Sequence, residues 1–419
     1  MRAPAMRRSA VLLSAIALVL TACGGGGAGR GGGGIGDGGD GVLNLGYVLP
    51  ETGQLASLGA SQIESVKLAI EEINDAGGVL GQPIPEAVST DEGGQPEVAV
   101  RSAGEVLSRG VDAVIGAAAS SMSLAIIDNV TGSGVVQCSA SNTAATFTDY
   151  PDSGLYFRTA PSDNLQAAAL SKVITGDGHE RVAVVARDDD YGRGLLESTT
   201  KALESSGATV VLGETYAPES ESFDQLTRKL RDADPDAVVV VAFEEGAKVL
   251  QAMIEAGVGP RDLGVYGADG LRNTELPEMV SADDRGALAG MKGTAPTADN
   301  DEYRERLRKF APDLREIQFA PQAYDCVTII ALAVEAAQSD DPTVFAAEIN
   351  RVTRDGEKCT SFAECKKLLD RGEDIDYDGV SGPLEFTEQG EPDKGVFDVY
   401  AYDESGELQV VGTREESSN

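Results

Sequence analysis

The run DAVVVVAF at 236–243 shows no alternation of apolar and polar residues, so as a β-strand it must be covered on both faces. Comparable runs recur at 111–118 (VDAVIGAA), 134–140 (GVVQCSA), 181–188 (RVAVVARD), 208–216 (ATVVLGETY) and 263–269 (LGVYGAD), with Val42 to Leu49 opening the series. Stretches able to hold a helix lie between most of them. From Ser61 to Ala76, Val66, Ile70 and Ile73 stand four and three residues apart, an amphipathic helix closed by Gly77-Gly78, and another helical segment begins at Ser121. Doubly covered strands alternating with helices imply βαβ units and parallel sheets.

The strands are too many for one compact sheet, and 419 residues exceed the roughly 100–200 of an ordinary domain. The irregular stretch Asn142 to Asp163 divides the series in two. The expected fold is therefore α/β, with two doubly wound parallel-sheet lobes joined by a hinge. Further helices are expected at Asp301 to Phe310, Ala320 to Gln338 and Thr343 to Val352. The tail segments PLEFTEQG, VFDVYAYD and LQVVGT read as strands of a meander, with turns at 388–390 and 405–406. Open parallel sheets bind ligands beyond the carboxyl ends of their strands. Two lobes facing each other would enclose a cleft there.

The amino terminus carries Arg2, Arg7 and Arg8 ahead of an apolar stretch, Val11 to Leu20. That stretch is too short to span a bilayer, which takes roughly 20 residues, and it reads as a signal peptide over 1–22. Its end, Leu20-Thr21-Ala22-Cys23, resembles the bacterial lipobox, in which the cysteine sulfur receives a diacylglycerol. Residues 23–41 are mostly glycine and read as a flexible tether. The expected location is the outer face of the bacterial cytoplasmic membrane, held by lipid alone.

Export sets the redox compartment as oxidising. Cys359 and Cys365 flank a short segment and are expected to pair, while Cys138 and Cys326 either bridge two ends of one lobe or remain two buried thiols. The chain carries 34 Lys and Arg against 69 Asp and Glu, a net charge of −35, and loses three more positive charges with its leader. Such acidity repels phosphate backbones, so nucleic acid is excluded as a partner. A single histidine, His179 in a loop expected to be exposed, leaves little for histidine-based catalysis. No G-x-S-x-G or P-loop pattern occurs. No enzyme, cofactor or metal is expected.

The loops after the strands carry the candidate residues. Ala118-Ala119-Ser120-Ser121 and Ser139-Ala140-Ser141-Asn142-Thr143 offer hydroxyls and N–H groups suited to a carboxylate, although a lone serine there is commonly just a helix cap. In the other half, Asp188 to Gly192 brings an aromatic, Tyr191, and the run Tyr266 to Gly270 brings an acid, Asp269, which by itself reads more readily as a helix cap or turn acid.

The run YVLPETGQLASLGASQIESVKLAIEEINDAGGVLGQPI (47–84) resembles the opening of the branched-chain amino acid type of ABC transporter substrate-binding proteins, of the type I periplasmic-binding fold. FRTAPSDNLQ (157–166), the DYG segment, YGADG (266–270), AYDCV (323–327) and DIDYDGVSGPLEF (374–386) extend the resemblance colinearly over nearly the whole body. It implies a lobe 1 of residues 42–158 and 298–378, and a lobe 2 of 159–297 and 379–419. The family's carboxylate-gripping groups fall on Ser120 with the Ala118 backbone, and on Ser141 and Thr143. Its covering aromatic falls on Tyr191 and its ammonium-pairing acid on Asp269. Two family aromatics fall on Leu58 and Phe243, so the side-chain pocket is expected to be more apolar. The resemblance implies a monomeric receptor that delivers an apolar amino acid to an ABC permease and ATPase complex. The alternatives are a sensory receptor of the same fold, or a binder of amides or aromatic acids.

One competing motif is formally complete. Asp374, Asp376, Asp378, Gly379 and Glu385 match a calcium-loop pattern. Pro383 and the strand-like LEFTE replace the exiting helix of such loops, which favours a structural turn.

Overall fold

The computed structural model describes residues 39–297 and 300–418; the leader, Cys23 and the tether up to residue 38 lie outside the described residues. The first lobe runs β1 (Leu45–Leu49), α1 (Ala56–Asp75), β2 (Val88–Asp91), α2 (Pro96–Leu107), β3 (Ala113–Gly116), α3 (Ser120–Thr131), β4 (Val136–Ser139) and β5 (Tyr156–Arg158). Its strand order is β2-β1-β3-β4-β5, every neighbour parallel.

The chain then builds a second sheet through α4 (Asp163–Gly176), β6 (Arg181–Arg187), α5 (Asp190–Ser205), β7 (Thr209–Tyr216), α6 (Asp224–Ala233), β8 (Ala237–Val241), α7 (Gly246–Glu255), β9 (Gly264–Gly267), α8 (Leu276–Val280) and β10 (Lys292–Pro296). It returns to the first lobe with α9 (Asp301–Phe310), α10 (Ala320–Ala337) and α11 (Pro342–Ile349), whose apolar residues join the core of α1 and the first sheet. A small sheet follows, β11 (Glu357–Cys359), β12 (Ile375–Gly379) and β13 (Gly382–Pro383), with α12 (Phe362–Leu369) between its first two strands. The chain ends in β14 (Lys394–Tyr402) and β15 (Leu408–Ser417), giving the second sheet the order β15-β14-β10-β9-β8-β6-β7.

Burial explains the parallel strands. Every residue of β8 has no exposed surface, as the unbroken valine run requires. Local chemistry sets the helix ends. The Asp189 carboxylate accepts the Gly192 N–H at the start of α5, and Asn300 accepts the Tyr303 N–H at the start of α9. Helix α9 also carries Asp301 and Glu302 in its first turn and Arg308 and Lys309 in its last, opposing the helix dipole.

Three expectations change. The second sheet is not wholly parallel, because β14 runs antiparallel to β10 and β15 antiparallel to β14. The tail is a hairpin and not a three-stranded meander: Pro383 ends the short β13, and segment 384–393 touches the sheet pattern only through a bridge of Phe386 to Pro392. The third late helix begins at Pro342, one residue early, because Asp341 caps it through the Thr343 N–H.

Both cysteine pairs are bridged. Cys138 in β4 joins Cys326 in α10 across 188 residues, and Cys359 joins Cys365 across 6. The chain-entropy cost of a loop grows with its length, so the long bridge restrains the unfolded chain more. Denaturant unfolding is expected to lose about 5 kcal/mol in a Cys138→Ala, Cys326→Ala variant and about 2 kcal/mol in a Cys359→Ala, Cys365→Ala variant. Equal losses would contradict that account.

Candidate functional site

A cleft lies where the strand ends of the two lobes meet, lined by residues of both. Leu58, Ala118, Ser120, Ser141, Thr143, Tyr191, Phe243 and Asp269 all line it. Residues drawn from positions 58 to 269 of the chain therefore meet in one place.

On the first-lobe side the chain turns sharply out of β3. Gly116 has φ +116°, and a Cβ there would lie 2.2 Å from the Val48 carbonyl oxygen, so a side chain would block the turn. Beyond it, the Ala118 N–H donates to the Glu92 carboxylate at 2.6 Å and the Ala119 N–H at 3.4 Å. The Ala118 carbonyl accepts from the Ser141 hydroxyl at 3.0 Å and the Asn142 amide at 2.9 Å. Both backbone groups of Ala118 thus brace the wall from within the lobe. Glu92 is fully buried, and desolvation pushes its pKa up to about 8 although two N–H groups favour its anion.

The hydroxyls stand differently. Ser120 opens α3 and its oxygen accepts only a long bond, 3.4 Å, from the Ala144 N–H. The Thr143 hydroxyl is buried without a hydrogen-bond partner, at the cleft wall. Ser141 is the most engaged, accepting from Gln62 while donating to Ala118.

The second-lobe side is an aromatic and acidic wall. Tyr191 and Phe243 stack with centroids 5.1 Å apart and planes 13° from parallel, and the Arg187 guanidinium lies 3.7 Å from the Phe243 centroid. Tyr191 donates to Asp269 Oδ1 at 2.8 Å, and the Gln166 amide donates to the same oxygen at 2.9 Å. Asp269 is only 6% exposed, and its burial raises its pKa against these two donors. One carboxylate oxygen is held and the acid is kept out of bulk water, which is how a site is prepared for a cationic group.

The lining is less apolar than Leu58, Phe243 and Tyr191 suggest. Leu55 and Phe319 add to it, but so do Glu244, Arg272 and Glu316. Arg272 donates to Gln318 Oε1 at 2.8 Å and lies 3.6 Å from Glu316, and Arg187 donates to Gln54 at 3.3 Å. These pairs join residues of the β9 and β6 ends to segments of the first lobe, so the lobes are linked across the cleft mouth. Arg272 closes the short turn that follows β9, near a strand end, whereas Glu316 and Gln318 come from a loop before α10 and carry no such signal.

The chain matches the sequence profile of the periplasmic binding protein family over residues 42–393. A Leu/Ile/Val-binding protein homolog of Brucella melitensis is 25% identical over 375 residues, covering 88% of this chain and 93% of that protein. A leucine-, isoleucine-, valine-, threonine- and alanine-binding protein of Pseudomonas aeruginosa is 29% identical, covering 73% and 81% respectively. In structure, a leucine-binding protein of Thermotoga maritima superposes with a TM-score of 0.74 at 22% identity, covering 88% of this chain and 98% of that one. A solute-binding protein of R. palustris in complex with 4-hydroxybenzoate superposes at 0.73 and 16% identity, covering 90% and 98%.

Two motifs fall outside the cleft. His179 is half-buried and not exposed: it packs edge-on to Tyr266 at 5.8 Å, in space that Gly264 leaves open. In the calcium-like loop, Asp376, Asp378 and Glu385 converge on the Lys358 ammonium at 2.7, 3.0 and 3.2 Å, while Asp374 faces Arg351 at 3.7 Å. A lysine stands where the pattern would place a cation. Millimolar calcium is accordingly expected to leave the melting temperature unchanged, and a calcium-dependent rise would contradict this ion-paired turn.

Proposed function

Because the chain belongs to the periplasmic binding protein family, we propose that it is an extracytoplasmic receptor that captures an amino acid with an apolar side chain and hands it to an ABC permease and ATPase complex. The reading rests chiefly on one observation: the buried carboxylate of Asp269, held by Tyr191 and Gln166, lines the same cleft as the loosely engaged Ser120 and unpartnered Thr143 hydroxyls. A zwitterion satisfies both walls. Its carboxylate takes the hydroxyls of the first lobe and its ammonium takes Asp269, each as a charge-assisted bond. Leu55, Leu58, Phe243 and Phe319 then surround the side chain.

Contacts from both lobes exist together only when the cleft is closed, so the ligand shifts an open–closed equilibrium by hinge motion. The Arg272–Gln318 and Arg187–Gln54 bonds would form with closure. Ligand-bound closure is the state a permease would recognise, and Cys23 would hold the receptor at the membrane by its lipid. The protein acts as a monomer and changes no bond of its ligand.

An aromatic acid without a nitrogen would bring a second negative charge to Asp269 and leave that acid unpaired. Calorimetry and thermal shift with leucine, isoleucine, valine and benzoate test the choice. The amino acids are expected to bind and stabilise, and Asp269→Ala to weaken them by about 2–5 kcal/mol, at least about thirtyfold. Unchanged affinity in Asp269→Ala would refute its role at the ammonium.

A further inference from the structure

A second acid lies behind the first. Asp163 opens α4, has no exposed surface, and donates its backbone N–H to the Thr143 carbonyl at 2.7 Å. Neither of its carboxylate oxygens has a hydrogen-bond partner. The Thr143 hydroxyl lies alongside, near enough to favour the anion but without hydrogen-bond geometry. Asp269 is close enough to repel it, and Tyr191 of α5 feels the charge of both acids.

The cation that reaches Asp163 is Arg158 of β5. Its donors are committed elsewhere, to Glu391, to the carbonyls of Asn142 and Ala144, and to the Thr148 hydroxyl. Around Asp269 stand two neutral donors, Tyr191 and Gln166, while the nearby Tyr400 of β14 donates its hydroxyl to the Ala268 carbonyl at 2.9 Å. One buried carboxylate therefore lines the cleft and a second lies behind it, and neither is hydrogen-bonded to a cation. Carboxylates so placed cannot both ionise at small cost, as in any close pair sharing a site.

We propose that Asp163 and Asp269 hold one proton between them in the empty cleft and release it to solvent when the ligand's ammonium docks. The only bond broken is the carboxyl O–H. The incoming ammonium supplies the positive charge that the proton supplied before, and the proton passes to the buffer. Asp163 is thus a positioning residue that acts through Asp269. Burial raises the pKa of both acids, and at Asp163 the neighbouring Asp269 charge raises it further. This inference rests on the reading of the ligand as ammonium-bearing. It sharpens selectivity, since a carboxylate ligand without nitrogen cannot replace the proton.

The sign follows from linkage. If binding releases one proton, affinity rises with pH by about tenfold per unit while the empty pair stays protonated. Calorimetric titration with L-leucine at pH 7, in buffers of different ionisation enthalpy, reads the proton count directly. About one proton released per leucine is expected in the unaltered protein. Asp163→Asn is expected to bind leucine with no release. In the unaltered protein, affinity should climb from pH 5 to 7, a measurement that needs no variant to fold. Heats independent of buffer, or release that survives Asp163→Asn, would overturn the proposal. Absence of any heat with leucine, isoleucine or valine would instead overturn the amino-acid reading, and this inference with it.

Discussion

A parallel strand covered on both faces has no free surface, and in this chain that constraint decides where function can reside. The core of each sheet is sealed by helices, β8 completely so. Most polar groups able to meet a ligand then come from the loops at the strand ends, with Glu316 and Gln318 of the loop before α10 as exceptions. The lobes meet at those ends, and the cleft is lined from them: Ser120 after β3, Ser141 and Thr143 after β4, Tyr191 after β6, Phe243 after β8 and Asp269 after β9.

Within the cleft the two walls are prepared in opposite ways. The first lobe satisfies its own backbone, with Glu92 taking the Ala118 and Ala119 N–H groups and Asn142 and Ser141 taking the Ala118 carbonyl. What remains uncommitted there are hydroxyls. The second lobe concentrates negative charge in a dry environment, with Asp269 tied to Tyr191 and Gln166 and Asp163 unpartnered behind it. Buried charge without a counter-ion is costly. An incoming cation relieves that cost, so the energetic demand of the fold and the chemistry of the ligand point the same way.

Much of the framework was legible in the chain because burial leaves a strong pattern. The unbroken valine runs became β3, β4, β6, β8 and β9, and the amphipathic helix at 301–310 has the bounds its capping residues imply. Elements with weak patterns were missed for physical reasons. Strand β2, Val-Ser-Thr-Asp, sits at a sheet edge and is partly exposed, so it needs no apolar run, while β14 and β15 returned to the second sheet as an antiparallel edge that periodicity cannot assign to a partner. At the site, strand-end position and residue chemistry pointed to Ser120, Thr143, Tyr191 and Asp269. Glu316 and Gln318 reach the cleft only through tertiary packing against Arg272, and Asp163 reads locally as the first acid of a helix. Its significance depends on a neighbour 106 residues away, Asp269.

The central claim is that the cleft is built for a molecule carrying both a carboxylate and an ammonium. Mass spectrometry of the small molecules released on denaturing the purified protein tests it most directly, because the natural ligand is identified without a prior list of candidates. The account predicts a free amino acid with an apolar side chain, recovered intact. Recovery of an aromatic or aliphatic acid lacking an amino group would contradict it.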